Sequence, residues 1–246
     1  MVFSIGRGVA RLARHRPVDA APNLTLIHTT RFMKTWIKFC GTTSLEDAMA
    51  SVEAGANALG FIFAPSKRRI AVEKAQAITR ELPASVERVG VFMGATLDEI
   101  RGIVTQVDLT GIQFHGNEFA PEVYDYLAKD RRDPWRIIRT IIVQDGFEGR
   151  IDAGMAIPGV AGAWLLDSGA GSGKTFDWQA ARAQLSERQG RFIIAGGLTP
   201  GNVGEAIRTF SPWGVDVVSG IEAGPGRKDP AKMKAFVAGV RKAEQP

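Results

Sequence analysis

The chain has 246 residues, 45% hydrophobic and 23% charged, a composition that excludes general disorder and fits one or two folded domains. No apolar run approaches the roughly eighteen residues of a membrane-crossing helix, so no membrane partner is expected. The only cysteine, Cys40, excludes an internal disulfide and cysteine-based zinc sites and points to a reducing compartment, the cytoplasm.

The formal net charge of +5 is concentrated at the start of the chain. Residues 1–33 hold five arginines (Arg7, Arg11, Arg14, Arg16 and Arg31) against one acid, Asp19. The other 213 residues carry 26 basic and 25 acidic side chains. A nucleic-acid partner is therefore not expected, because the charge does not mark a binding face of the folded part. Residues 1–33 read as a disordered basic N-terminal extension or a mis-assigned start, with Met33 beginning Lys34-Thr35-Trp36-Ile37. Their arginine richness also suits a transit peptide or a partner-binding arm.

From residue 34 to 246, short apolar runs alternate with helical patterns. Trp36–Phe39 reads as a strand. Ser44 then stands as an N-cap with Asp47 three residues on, and Gly55 ends the helix. Ala58–Phe63 is the second strand, followed by a helix over Val72–Leu82 that Pro83 stops. Val86–Phe92, Thr110–Phe114 and Arg136–Ile142 are strands three to five, with helices over Leu97–Val104 and Pro121–Ala128. Gly162–Asp167, Phe192–Ala195 and Val215–Val218 are strands six to eight. Helices follow near Gln179–Leu185, Gly201–Thr209 and Pro230–Lys242. The helix between Gln144 and Val160 is weakly signalled. The strands are continuous apolar runs, as in parallel sheets buried on both faces. Eight strand–helix repeats in this length predict an α/β fold, a single closed (β/α)8 TIM barrel.

Barrel enzymes place their chemistry at the C-terminal ends of the strands. Those ends carry Cys40-Gly41, the segment Pro65-Ser66-Lys67-Arg68-Arg69, Gln113-Phe114-His115-Gly116, Asp167-Ser168, Gly196-Gly197-Leu198 and Ser219-Gly220. Taken singly, each has an ordinary structural reading: a small buried hydrophobe, a solvated arginine, a turn histidine, a loop cap, a tight turn. Together they bring a thiol, a carboxyl group, an arginine and two glycine turns to one rim. Loops after strands seven and eight of such barrels commonly bind phosphate with backbone N–H groups. Gly196, Gly197, Ser219 and Gly220 are therefore the candidate phosphate cradle, with Ser219–Gly226 as a short extra helix. A small phosphorylated substrate follows.

Gly169–Thr175 looks like a P-loop, but the required first glycine falls on Ser168. It also fails the nucleophile elbow, because Ala170 stands where glycine should precede Ser172. It reads instead as a loop able to close over substrate, with Lys174 at its edge.

These strand-end motifs resemble the phosphoribosylanthranilate isomerases of tryptophan biosynthesis over roughly residues 36–242. The resemblance is carried by Lys38-Phe39-Cys40-Gly41, Glu53-Ala54-Gly55-Ala56, Leu59–Phe63 and Gln113–Gly116. It continues through Leu165-Leu166-Asp167-Ser168, Gly173–Trp178, Gly196-Gly197-Leu198, Val215-Asp216 to Ser219-Gly220, and Lys228-Asp229-Pro230. Departures are Gly94, Arg139, Val218 and a one-residue shortening before Arg68. The resemblance implies an Amadori rearrangement of an aminoaldose phosphate to an aminoketose phosphate. It implies Asp167 as general acid and Cys40 as general base. It also implies Arg68, Gln113 and His115 as substrate-binding residues, with no metal or cofactor. Asp167 should then hold its proton above the ordinary carboxylate range, and Cys40 should ionise below the ordinary thiol range. A monomer or homodimer is expected. Two other readings remain: an isomerase also accepting the histidine-pathway aminoaldose, which would be expected to use a carboxylate pair, and a silent phosphosugar-binding paralogue.

Overall fold

Parallel strands buried on both faces must find helices outside and side chains inside, and the eight apolar runs do so by closing on themselves. The computed structural model describes residues 34–116, 123, 136–143, 162–169, 175–186 and 188–245. Its strands are β1 (Trp36–Cys40), β2 (Ala58–Ile62), β3 (Glu87–Phe92), β4 (Gly111–Phe114), β5 (Arg136–Ile142), β6 (Ala163–Asp167), β7 (Phe192–Ile194) and β8 (Gly214–Val217). They form a closed barrel in chain order. Every neighbouring pair is parallel, and β8 returns to β1 with Lys38 opposite Asp216.

The helices are α1 (Leu45–Ala54), α2 (Val72–Thr79), α3 (Leu97–Val107), α4 (Trp178–Leu185), α5 (Val203–Phe210) and α6 (Pro230–Ala243). Their ends follow from sequence chemistry. Ser44 Oγ accepts the Asp47 N–H, and Gly55 closes α1 at φ 101°, a left-handed conformation that glycine adopts without penalty. Thr96 and Glu99 form a reciprocal capping box on α3. Asp229 caps α6 ahead of Pro230. α2 ends three residues earlier than the expected Leu82. Arg80 and Glu81 form a turn before Pro83, whose ring disfavours helix in the residue preceding it.

Alternation along the strands separates an inner from an outer face. Phe39 meets Phe236 of α6 edge-on at 6.0 Å, so Ile37 and Phe39 face the helices. Trp36, Lys38 and Cys40 therefore face the barrel axis. The floor of the barrel is a separate apolar cluster that includes Trp36, Ala58, Val89, Ile138, Leu165 and Ile193. A solid floor leaves chemistry to the opposite, C-terminal rim.

The segment after β8 differs from the expected short helix. Only Ser219–Ile221 make a 3-10 turn. Glu222–Gly224 (β9) and Arg227–Lys228 (β10) then form a small antiparallel hairpin. The cause is local: Pro225 and Gly226, the latter at φ 77°, make a turn that a helix cannot continue through. Of the expected Pro121–Ala128 helix, only Val123 is described, and it is helical and buried. The weakly signalled helix of 144–160, the loop residues 170–174 with Lys174, and residues 1–33 lie outside the described residues.

Candidate active site

Cys40 ends β1 with its thiol turned inward and is 3% exposed. The position opposite on β2 is Gly60, and the reason is steric. A Cβ there would lie 2.6 Å from the Cys40 sulfur, so only glycine leaves the thiol its place. Burial pushes the Cys40 thiol above its ordinary range. Lys38 and Lys228 pull it down, and Asp216 pushes it further up. The expectation of a thiol below its ordinary range is therefore not met here, because removing the charge from water outweighs the two cations.

Lys38, two residues before Cys40 on the same face, is fully buried. Its Nζ donates to Asp216 Oδ1 on β8 at 2.9 Å. Burial works against the ammonium, but Asp216 and Cys40 outweigh it and the lysine stays charged.

Above Cys40 lies a clamp the sequence did not reveal. Arg68 packs its side chain over Gly41, where a Cβ would come within 2.9 Å of the arginine Cδ. Its guanidinium donates twice to Glu222 of β9, Nε to Oε1 at 2.8 Å and Nη2 to Oε2 at 2.6 Å. Glu222 is buried. Burial alone would raise its carboxyl, but Arg68 and Lys228 hold it below the usual range. Lys228 of β10, also buried, donates to the Cys40 carbonyl at 2.6 Å and faces Glu222 at 3.4 Å. Asp47 joins in from α1: its Oδ2 accepts the Lys228 backbone N–H at 3.0 Å rather than completing a capping box. Arg68 thus meets the rim with one edge of its fork already committed to a carboxylate, leaving Nη1 and one Nη2 proton for others.

Asp167 ends β6. Burial raises its carboxyl above the ordinary range, with Asp216 adding to the rise. The Gly169 N–H, His115 and Lys38 pull it back. The Gly169 bond to Oδ1 is 3.0 Å. The expectation for Asp167 is met in direction and in cause.

Asp167 borders a cavity of ≈ 60 Å³ whose wall includes Gly196, Gly197, Asp216 and Ser219. Backbone builds this region. Gly196 and Gly197 have φ of 77° and 64°. A Cβ on Gly196 would sit 2.6 Å from the Ser168 nitrogen, and one on Gly220 would overlap the Leu198 carbonyl. Asn202 ties the loop after β7, accepting the Thr199 N–H at 2.7 Å and donating to the Gly197 carbonyl at 3.0 Å. The loops after β7 and β8 therefore touch, as a shared anion cradle requires.

Gln113 sits within β4, 3% exposed. Its Nε2 donates to Thr140 Oγ1 at 3.2 Å, and its Oε1 has no hydrogen-bond partner among the described residues. His115 follows β4 at the rim and bears electrostatically on Asp167. The cavity gathers Asp167, Gly196, Gly197 and Ser219. Cys40 and Arg68 meet the β9–β10 hairpin through Lys228 and Glu222, and neither they nor Gln113, His115 and Gly220 are part of the cavity's lining. Among the described residues no three His, Cys, Asp or Glu side chains are grouped to hold a metal. No helix among them is long and apolar enough to cross a membrane.

With a buried thiol, a carboxyl group pushed toward its protonated form and glycine-built loops on one rim, the molecule falls among the (β/α)8-barrel enzymes of acid–base chemistry. Comparison with known proteins narrows the class. The model of the N-(5'-phosphoribosyl)anthranilate (PRA) isomerase family matches residues 37–239. A relative of that name from Citrifermentans bemidjiense is 42% identical over 214 residues, covering 85% of this chain and 98% of its own. A crystal structure of phosphoribosyl anthranilate isomerase in complex with reduced 1-(o-carboxyphenylamino)-1-deoxyribulose 5-phosphate has a TM-score of 0.73 at 35% identity, covering 85% of this chain and 99% of that one. Monomers generated from the dimeric isomerase of Thermotoga maritima give 0.73 at 36%, with the same coverage. The chain belongs to the phosphoribosylanthranilate isomerase family, the aldose–ketose isomerases of tryptophan biosynthesis.

Proposed function

We propose that Asp167 and Cys40 act as the general acid and general base of this isomerase, working on N-(5'-phosphoribosyl)anthranilate from neighbouring parts of the rim. Asp167 gives its proton to the furanose ring oxygen, the C1–O bond breaks, and the anilino nitrogen forms a Schiff base with C1. The Cys40 thiolate then takes the C2 proton, and the electron pair runs to nitrogen to give an enolamine. Gain of a proton at C1 and loss of the C2 hydroxyl proton yield the aminoketose, 1-(2-carboxyphenylamino)-1-deoxyribulose 5-phosphate. Each transfer is of the kind a positioned side chain accelerates by about 10²–10⁴-fold.

The observation that carries the acid role is the place of Asp167: burial raises its carboxyl, and it borders the same cavity as the glycine loops. The N–H groups around Gly196, Gly197, Ser219 and Gly220 hold the phosphate in this reading. Arg68 receives the anthranilate carboxylate with the part of its fork that Glu222 leaves open. Gln113 and His115 complete the substrate contacts. No cofactor enters the reaction in this reading, since aminoaldose and aminoketose are isomers and the change in oxidation level passes between C2 and C1 of the substrate itself. The enzyme works in the cytoplasm as a monomer or a homodimer, the dimeric Thermotoga maritima relative supporting the latter.

A continuous fluorescence assay with freshly made substrate tests the roles. Asp167→Asn and Cys40→Ala should each lower kcat by about 10²–10⁴-fold with the fold retained. A variant that keeps wild-type kcat removes its residue from the mechanism.

A further inference from the structure

Lys38 is an unusual occupant of a barrel interior. It is fully buried, on the axis-facing side of β1, one inward position before Cys40. Asp216 takes one of its three N–H donors at 2.9 Å, and the Cys40 thiol follows two residues on along the same buried, inward face. A buried ion pair that only filled space could be replaced by apolar side chains at little or no cost in stability, so a reason for keeping this one is to be sought in what its ends face.

The two ends face different groups. The cation is beside the thiol. The anion, Asp216, helps to line the cavity that Asp167 borders, and it favours the protonated form of that acid. The other charges around Cys40 are already engaged. Lys228, from β10, is turned to the Cys40 carbonyl and to Glu222. Arg68, after β2, is committed to Glu222. Of these cations, Lys38 alone stands on the same inward face of β1 as the thiol, and it pulls the thiol down against burial.

We propose that Lys38 is a positioning residue of the reaction: its ammonium, fixed by Asp216, holds the Cys40 sulfur in place and stabilises the thiolate that removes the C2 proton. The proposal rests on Cys40 being the base. One buried pair then serves both ends of the proton transfer, its positive end favouring an ionised base and its negative end a protonated acid.

Cys40 is the only cysteine, so the ultraviolet absorbance of the thiolate can be titrated with the Cys40→Ala protein as blank. In Lys38→Met the titration midpoint should move up by about one pH unit or more, a tenfold loss of thiolate at a given pH. kcat should fall by about the same factor with KM little changed. Lys38→Arg should restore part of both. Lys38→Met leaves Asp216 buried without its cation and can fail to fold. In that case Lys38→Met/Asp216→Leu is compared with Asp216→Leu, because losing Asp216 by itself lowers the midpoint, and the rise on adding Lys38→Met is what is read. A folded Lys38→Met protein with the wild-type midpoint, or a double variant with the midpoint of Asp216→Leu, overturns the proposal. If Cys40→Ala itself keeps its turnover, the base assignment falls, while the midpoint still decides whether Lys38 stabilises the thiolate.

Discussion

Cys40 and Asp167 end strands of one barrel, yet their surroundings are built from different materials. Around Cys40 the walls are side chains: Lys38 and Asp216 beneath, Arg68, Glu222 and Lys228 above, joined by charge-assisted bonds between residues up to 188 positions apart. Around Asp167 backbone makes much of the wall, with glycines at positive φ after β7 and a 3-10 turn after β8 packed against that loop, and Asp216 adds a side chain. The first arrangement controls the ionisation of a group that burial disfavours. The second, in the function proposed above, would hold the phosphate on N–H groups without a formal charge. Substitutions in the two regions should therefore fail in different ways.

Two glycines put this contrast to its hardest test. A methyl group on Gly60 lands on the Cys40 sulfur, and one on Gly220 lands on the Leu198 carbonyl. Gly60→Ala should displace the base and lower kcat by about 10²-fold, since an error near 1 Å at a reacting group costs about that much. Gly220→Ala should push apart the loops after β7 and β8 and act mainly by raising KM, with a stability loss of about 1–3 kcal/mol from overpacking. Steady-state kinetics and thermal melts read both. If Gly220→Ala lowers kcat and leaves KM alone, the backbone-built region is not the binding half of the site.

A milder test acts on the clamp over Cys40. Glu222→Gln keeps the shape but removes the charge that holds Arg68 and faces Lys228. Arg68 loses a bidentate charge-assisted partner, so its open edge is no longer aimed. A rise in KM of about tenfold, equivalent to about 1.4 kcal/mol, is expected with kcat nearly kept. A large fall in kcat at unchanged KM would show instead that Glu222 acts on the base rather than on substrate binding.

The contrast also explains which parts could be read from sequence. Strand positions are local properties, because a run such as Leu165-Leu166 is apolar on both faces wherever it stands. All eight strands are accordingly found within a residue or two of their expected bounds. Asp167 and the glycine turns were legible for the same reason, being strand-end residues with local conformational demands. The Lys38–Asp216 pair was not, although both residues lie inside quoted motifs, because it exists only once β8 closes on β1. The Arg68–Glu222 clamp depends on a hairpin that Pro225-Gly226 imposes where a helix was expected. Gly60 carried no signal of its own beyond being a glycine inside a strand, which often marks a close approach.

The finest test concerns protons, and it separates the two regions without changing any residue near them. Burial moves both Asp167 and Cys40 upward from their ordinary ranges. An ordinary carboxyl ionises about 4–5 pH units below an ordinary thiol, and with both moved upward the order expected is the ordinary one, the carboxyl ionising at lower pH than the thiol. Between the two, most free enzyme carries a carboxylate and a thiol. The working form, a carboxylic acid with a thiolate, is then a minor tautomer of the same net charge, and its fraction is constant across that interval. kcat/KM should therefore be flat in the middle. It should fall on the acid side as Asp167 becomes protonated in the bulk of the enzyme, and on the alkaline side as Cys40 ionises. The acid limb belongs to the acid and the alkaline limb to the base, opposite to the assignment in which each group is already in its working form. Titrating the Cys40 thiolate by its absorbance decides between them. A midpoint on the alkaline limb supports the swapped-proton enzyme, whereas one on the acid limb would mean that the cations around Cys40 overcome its burial before substrate arrives.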